Sequence, residues 1–464
     1  MIGEFLPKYR VPALALTVME NGGTVLKKTY GYADVENGIV ADDKSMFYIS
    51  SCTKAFTSLL AAMAVQEGRI GWDTPVNNVL PCELRFFDST TTRLVSMRDM
   101  AAHMTGLPRH DFMQDSCETR EQLVHRLRYL RPVISLRERS EYQNQVYVAL
   151  GWVLEQLYGR SYEQLIVDKI ADPLGMEVRF RGMAADDERL AVPYRLDFSM
   201  DGITRTRLEH STSSMDNPCG GLILTNDALE RWLMFLNGGG ELYGTRLIDE
   251  KAFETWIKPV YTYEVFGADS LLRGYALGWN TQATPYGLMV SHGGVQAGYQ
   301  SDILFYPKSK NGLCVVTNCL GIPMSEIVRL MVTDVLAGQG KPDYESFFLE
   351  KYAGSFLTLE DAPEVRPTAP TFVTGSEVGI YADDGYGELA IVREQGDLVM
   401  RYYSQDYPLV HLTGNYYVAT HPLGMKLTLL FEPDLTARVS ALTLQVHAGC
   451  TATAEFTRKG GPAL

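Results

Sequence analysis

A nearly continuous apolar run over residues 12–20 and a β-prone stretch over 24–32 read as two strands joined by the turn ENGG. From about 52 to 67 the pattern changes. Ala55, Phe56, Leu59, Leu60, Ala62 and Met63 leave no polar stripe, so this stretch predicts a helix lying deep in its domain and stopped at Gly68. Helical spacing recurs at 97–103, 119–130, 144–158, 161–171, 226–237, 249–257 and 322–337. Strand patterns return at 273–282, 287–292, 299–307 and 312–318. Strands at both ends of a region with helices in its middle predict one α+β domain, its sheet assembled from the first and last segments.

Beyond AGQGKPD near 340 the texture changes, with Gly338, Gly340 and Pro342 as helix-stop signals. ELAIVRE, DLVMRYY, MKLTLLFEP and VSALTLQVH read as short strands separated by turns, and PEVRPTAP (363–370) as a stiff loop. The organisation is therefore a first domain over 1–340 and a separate all-β domain over 350–464, a small barrel or sandwich. Tyr402, Tyr403, Tyr407, Tyr416 and Tyr417 of that domain suit either a ligand pocket or simple packing. No internal repeat or low-complexity tract is present.

The chain has 464 residues and a net charge of −14. That length calls for two or three domains. The acidic balance, with no basic cluster, argues against a nucleic-acid partner. No apolar run approaches the roughly 20 residues that cross a bilayer. The seven cysteines are scattered and none forms C-x-x-C, which fits reduced thiols and a cytoplasmic location. The opening residues lack a signal-peptide pattern, as would a processed exported form. No G-x-G-x-x-G follows a strand, and no His/Cys group has zinc spacing, so no cofactor or metal is expected. NGGGELYG (237–244) follows a helix and reads as a cap and turn.

Candidate chemistry concentrates in FYISSCTKAFTSLLAA, residues 47–62. Ser51 stands at the helix start and Lys54 follows at i+3, on the same face one turn on. Ser50 has Thr53 at that spacing instead. A lysine in the first turn of a buried helix is partly desolvated, so its neutral, basic form becomes accessible. The helix N-terminus favours negative charge developing at the serine. Taken alone, S-x-x-K reads equally as a helix cap followed by a surface lysine.

The stretch FYISSCTKAFTSLLAAMAVQEGRIGWDTPVNNVLP resembles the serine–lysine acyltransferase family of class C β-lactamases, D,D-peptidases and related esterases. Further stretches resemble the same family in order: VSMRDMAAHMTGLPRH, EYQNQVYVALGWVLEQLYGRSYEQLIVDKIADPLGM, NPCGGLILTNDALERWLMFLNGG, YALGW and SHGGVQAGYQSDILFYP. The resemblance covers residues 5 to 338. It implies a β-lactamase/transpeptidase-like α+β fold, with an antiparallel sheet flanked by helices and an all-helical subdomain. The C-terminal β domain would be lipocalin-like.

The resemblance also distributes roles. Ser51 would be the nucleophile and Lys54 its base or proton shuttle. Tyr142 and Asn144 occupy the family's Y-x-N place. An ordinary tyrosine is a poor base at neutral pH, but cations beside it, Lys54 and also His292 if charged, make the phenolate accessible. Asn144 would hold Lys54 and donate to a substrate carbonyl. His292, Gly293 and Gly294 take the place of the third motif. There Gly294 would let substrate lie along the strand, and the N–H groups of Ser51 and Val295 would form an oxyanion hole. His292 reads equally as a hydrogen-bonded strand-end histidine, and His103 as structural. Gly293 departs from the family, whose penicillin-handling members usually carry a hydroxyl there for the substrate carboxylate. That puts β-lactamase and D,D-carboxypeptidase activity in doubt.

The expectation is a serine hydrolase cleaving a small ester, amide or short peptide through a Ser51 acyl-enzyme. Alternatives are a peptidase or amidase for D-amino-acid substrates, a β-lactamase or penicillin-binding activity, and a catalytically silent binding protein on the same fold. A homo-oligomer stays open. Because every motif precedes residue 340, the acylation machinery is expected to be complete without the β domain.

Overall fold

The computed structural model describes residues 2–459, apart from 185–186, 200–201, 266–270, 297, 337, 339–367, 404, 422–425 and 449. The chain divides into two compact units. One comprises Met1–Pro81, Ser96–Ala102 and Leu150–Thr358; the other comprises Cys82–Val95, His103–Ala149 and Leu359–Leu464. The expected domain boundary at 340–350 lies outside the described residues.

The first unit is organised by a nine-stranded sheet. Its strands in chain order are β1 (Ala13–Glu20), β2 (Gly23–Asp34), β3 (Ile39–Val40), β4 (Tyr261–Val265), β5 (Leu271–Tyr275), β6 (Asn280–Thr284), β7 (Gly287–Gln296), β8 (Tyr299–Tyr306) and β9 (Asn311–Thr317). They lie in the order β4-β5-β6-β7-β8-β9-β1-β2-β3, so the first and last segments of the unit meet at the centre, where β9 pairs antiparallel with β1. The central strands β1 and β8 are buried almost throughout, as strands covered on both faces must be.

On one face, Leu14, Leu16, Val18, Leu304 and Leu313 share a core with Ile327, Val328 and Met331 of the helix Met324–Leu336. The helix α1 (Thr53–Gln66) is buried from Thr53 to Ala64. Its Phe56 stacks on Trp232 with ring centroids 3.8 Å apart. Each such large apolar side chain taken fully from water contributes about 1.5–3 kcal/mol, which fixes α1 as the rigid post of the unit.

One strand expected over 273–282 is two strands, β5 and β6. Gly278 turns the chain between them at φ +82°, and a Cβ there would lie 2.5 Å from Ser58 Oγ and 2.9 Å from the Lys54 carbonyl. The hairpin of Tyr194–Ser199 with Gly202–Arg207 was absent from the sequence reading, as was the small sheet of Met46–Tyr48, Leu222–Thr225 and Val178–Phe180. The strands of the small sheet, three or four residues long, carry too few alternations to register as a pattern.

The second unit contains a closed eight-stranded antiparallel barrel: β10 (Gly379–Asp383), β11 (Gly387–Glu394), β12 (Asp397–Tyr402), β13 (Gln405–Thr413), β14 (Tyr416–Thr420), β15 (Lys426–Pro433), β16 (Val439–Ala448) and β17 (Cys450–Lys459). Each strand pairs with the next, and β10 closes on β17 with Ile380 opposite Lys459. Inward residues alternate along the strands, as with Leu427, Leu429 and Phe431 on β15. Eight strands leave an interior that side chains can fill. The barrel tyrosines divide accordingly: Tyr402, Tyr407 and Tyr417 are buried, whereas Tyr403 and Tyr416 are exposed.

Packed in the same unit is the segment 103–149, with the helix α2 (Gln145–Tyr158) starting within it. Phe112 stacks on Tyr402 at 4.4 Å and meets Tyr407 edge-on at 5.4 Å.

Candidate active site

The chain enters α1 through one tight turn, Ser50–Cys52. Four long-range hydrogen bonds pin that turn. Ile49 N donates to Leu222 O (3.0 Å), and Leu222 N donates to Thr53 Oγ1 (3.2 Å). Ser301 Oγ, on β8, donates to Ile49 O (2.6 Å), and Cys52 Sγ donates to His292 O on β7 (2.9 Å). Ser50 is buried with φ +48°, a conformation uncommon for a residue with a side chain. The strained turn leaves Ser51 half-buried, with its neighbours Ser50 and Cys52 buried.

Lys54 is fully buried on α1. Its Nζ donates to Ser51 Oγ (3.1 Å) and to the Cys219 carbonyl (2.8 Å). The i+3 spacing therefore brings the two side chains into contact, and the surface-lysine reading falls. Cys52 is no rival nucleophile: burial pushes its thiol up to about 12, so the thiolate is scarce at neutral pH.

The strand β7 lies flush against this turn. A Cβ on Gly294 would stand 2.4 Å from Ser301 Oγ, 2.5 Å from the Ile49 carbonyl and 2.9 Å from Ser50 Cβ. Packing against the turn that carries Ser51 thus requires glycine at position 294. Gly293 is the open position: a Cβ there would meet only Ser301 O, at 3.8 Å.

His292 is buried between these elements. Its Nδ1 lies 2.7 Å from the Gly293 carbonyl, which it can only donate to, and its Nε2 lies 3.0 Å from Tyr275 Oη. Burial, with the Lys54 charge adding to it, lowers its pKa to about 3. His292 is therefore a neutral, hydrogen-bonded imidazole and not the extra cation considered for it. Val295, next on the strand, has an exposed side chain.

The sequence reading missed a polar chain beyond the strand end. Arg181 is buried and ion-paired with Asp216. With the Gln296 amide turned to suit its neighbours, its nitrogen donates to Gly220 O (3.0 Å) and its oxygen accepts from Arg181. This chain supports the loop whose Cys219 carbonyl holds Lys54. Cys219–Gly221 and Gln296 lay in stretches singled out from the sequence; Arg181 and Asp216 carried no local signal.

In the second unit the Tyr142–Asn144 segment precedes α2. Gln143 between them is buried and holds the segment in place. Its Nε2 donates to Thr105 Oγ1 (3.1 Å), its N to His103 Nδ1 (3.3 Å), and its Oε1 accepts from Val146 N (2.9 Å). Tyr142 and Asn144, two residues apart, share the other face. Tyr142 packs on the His103 ring at 4.4 Å, and the Arg109 guanidinium stands 5.5 Å over its ring. Asn144 Nδ2 donates to Asp111 Oδ1 (3.0 Å), to which Gln145 Nε2 also donates (3.2 Å). Arg109 Nε donates to the other Asp111 oxygen (2.8 Å).

His103, read as structural, is buried and serves this segment as an acceptor and a packing surface. The loop 108–112, absent from the sequence reading beyond its first residues, is tied to the barrel: His110 Nδ1 and Tyr386 Oη are 2.8 Å apart, both groups buried. The Tyr142 segment is therefore joined, through this loop, to the β-barrel.

Among the described residues no group of three or more His, Cys, Asp or Glu side chains is placed to hold a metal ion. No described helix is long and apolar enough to cross a membrane.

The family model described as Beta-lactamase matches residues 1–336 of this chain. The protein belongs to the beta-lactamase family. Among curated relatives of this beta-lactamase-family chain, "Unguisins hydrolase ungD" of Aspergillus violaceofuscus is 24% identical, over 90% of this chain and 81% of its own length. "Protein flp" of Staphylococcus aureus is 23% identical, over 72% of this chain and 65% of its own. Among solved structures, the octameric penicillin-binding protein homologue from Pyrococcus abyssi superposes with a TM-score of 0.64 at 20% identity, covering 98% of both chains. SurE gives 0.59 at 20% identity, covering 98% of this chain and 97% of its own. A class C beta-lactamase gives 0.59 at 20%, covering 70% of this chain and 91% of its own. At these identities the superpositions show the fold alone. The two that cover 98% of this chain extend past the matched family region into the barrel.

Proposed function

We propose that this beta-lactamase-family protein is a serine hydrolase that cleaves a small ester or amide bond through an acyl-enzyme on Ser51. The carrying observation is the 3.1 Å contact between the buried Lys54 Nζ and Ser51 Oγ, with the Cys219 carbonyl fixing the lysine from its other side. Ser51 Oγ attacks the substrate carbonyl carbon while its proton passes to the Lys54–Tyr142 pair. The backbone N–H groups of Ser51 and Val295 hold the oxyanion, and Asn144 donates to the substrate. The bond to the leaving group breaks as that group takes the proton. Water then attacks the acyl carbonyl, its proton follows the same route, and the acid leaves Ser51. None of these steps uses a metal or cofactor.

A second reading makes the substrate a peptide or amide with a D-amino acid. The observation favouring it is that SurE, of the same fold, has been solved with D-Leu. Amide cleavage needs a protonated leaving group and activated esters do not. Matched esters, anilides, D- and L-aminoacyl amides and penicillins, run on the native protein and on Ser51→Ala, separate these readings. Hydrolysis of esters well above amides supports an esterase. D-amide turnover supports the second reading. No turnover and no labelling of Ser51 by a fluorophosphonate supports a silent binding protein.

A further inference from the structure

The loop 108–112 has two faces. Arg109 and Asp111 turn toward the Tyr142–Asn144 segment, where Arg109 covers the tyrosine ring and Asp111 accepts from Asn144 and Gln145. His110 and Phe112, the alternate residues, turn toward the barrel: His110 bonds Tyr386, and Phe112 stacks on Tyr402. His110 is the N-cap of the short 3-10 helix Asp111–Ser116, so it and Asp111 are adjacent links of one tightly turned backbone segment. A displacement of His110 is therefore a displacement of Asp111.

Tyr386 is itself held from both ends. Asp383 Oδ1 accepts from the backbone N–H of Gly385 and of Tyr386, each at 2.8 Å, and Tyr402 Oη donates to the Tyr386 carbonyl at 2.8 Å. The His110–Tyr386 bond joins residues 276 apart in sequence, with both side chains almost wholly buried.

We propose that Tyr386 of the barrel is a positioning residue for the catalytic step: through His110 it sets the place of Asp111 and Arg109, and through them the place of Asn144 and Tyr142. The inference rests on the proposed serine-hydrolase reading. It assigns the barrel a part in the chemistry without contact with the reacting atoms. A group held by a bond of this kind loses rate when it is released, because small misplacements of a proton-transfer residue are costly.

The test compares three variants of the full chain: Tyr386→Phe, His110→Asn and Tyr381→Phe. Tyr386→Phe removes only the hydroxyl. His110→Asn keeps a polar atom near the place of Nδ1. Tyr381→Phe is the control, because it removes an equally buried barrel hydrogen bond, Tyr381 Oη to Glu377 O at 2.7 Å, that has no part in the loop. The first readout is the rate of Ser51 labelling by a fluorophosphonate, located by peptide mass. The second is the ratio of ester to anilide kcat/KM.

Tyr386→Phe is expected to slow labelling about tenfold and to cost anilides more than esters, since only anilides need the leaving group protonated. His110→Asn should retain most of the rate. Tyr381→Phe should lower the melting temperature and leave the labelling rate and the ratio where they were. Equal labelling rates and ratios in Tyr386→Phe and the native protein would overturn the proposal and leave the hydrolase reading standing. A change of the same size in Tyr381→Phe would reduce the effect to general destabilisation and overturn it as well. Absence of Ser51 labelling in the native protein would overturn both.

Discussion

The Ser51–Lys54 pair and the Tyr142–Asn144 pair, which the proposed mechanism uses together, are built in opposite ways. The Ser51–Lys54 half is local: both residues lie within one turn, and the elements that pin them belong to one compact unit. The Tyr142–Asn144 half is remote in its support. Its partners come from residues 103–111, and those residues are braced in turn by Tyr386 and Tyr402 of the barrel. A spacing rule can therefore find the first half, whereas the second exists only once distant parts of the chain have packed. The first half should fail by direct chemical loss, and the second by graded misplacement.

The largest effect belongs to the local half. Lys54→Met removes the amine beside Ser51 Oγ and the 2.8 Å hydrogen bond to the Cys219 carbonyl. Activity on esters should fall by about 10³-fold or more, the upper range for loss of a proton-transfer group, with KM little changed. Steady-state kinetics check it. A loss below about tenfold would sink the assignment of Lys54 as the base.

Next come the two glycines of β7, which sharpen the contrast between packing and access. Gly294→Ala drives a methyl into Ser301, Ile49 and Ser50. It should destabilise the protein by about 1–3 kcal/mol and slow Ser51 labelling at the same time. Gly293→Thr meets open space. It should unfold in urea near the native midpoint while raising the rate of acylation by penicillins, through the hydroxyl that Gly293 lacks. If both variants unfold alike, the division of labour between these positions is wrong.

In the remote half, Asp111→Ala leaves Asn144 and Gln145 without their shared acceptor and Arg109 without its ion pair. The expected loss in kcat is about 10–100-fold, the range for misplaced catalytic groups, and anilides should suffer more than esters. An equal loss for both substrates would break the link between Asp111 and leaving-group protonation.

The smallest effect concerns pH. His292 has a folded-state pKa of about 3, against 6.5 ordinarily. Between those values the folded protein binds fewer protons than the unfolded chain. The stability that His292 contributes is thus complete above pH 6.5 and is lost as pH falls toward 3. His292→Asn should flatten the acid arm of the melting temperature against pH. The position of any activity limb between pH 5 and 8 should owe nothing to His292, because the imidazole is neutral throughout that range. A native acid arm as flat as that of the variant would contradict the assignment.

What the sequence made legible follows the same division. The helix after Ser51, the strands β1 and β2 and the described barrel strands each extend over many residues, and they stand where the sequence placed them. The single strand expected over 273–282 broke at Gly278 because α1 approaches the turn too closely for a side chain, a demand visible only in three dimensions. His292 sits next to two glycines in a motif, yet its charge state is set by burial under Tyr275 and beside Lys54, which no spacing encodes. Arg181, Asp216 and Gln296 form one polar chain from three separate stretches, and Arg181 and Asp216 are not marked in their own neighbourhoods. Asp111 and Tyr386 were missed for the same reason, since each matters through a partner far along the chain.

The account turns on which atom carries the acyl group. The most direct measurement is intact and peptide mass spectrometry of the native protein trapped with a slow activated ester, alongside Ser51→Ala and Ser50→Ala. The account predicts one acyl adduct on the peptide containing Ser51, lost in Ser51→Ala and kept in Ser50→Ala. An adduct that persists in Ser51→Ala, on Ser50 or on Cys52, would contradict it.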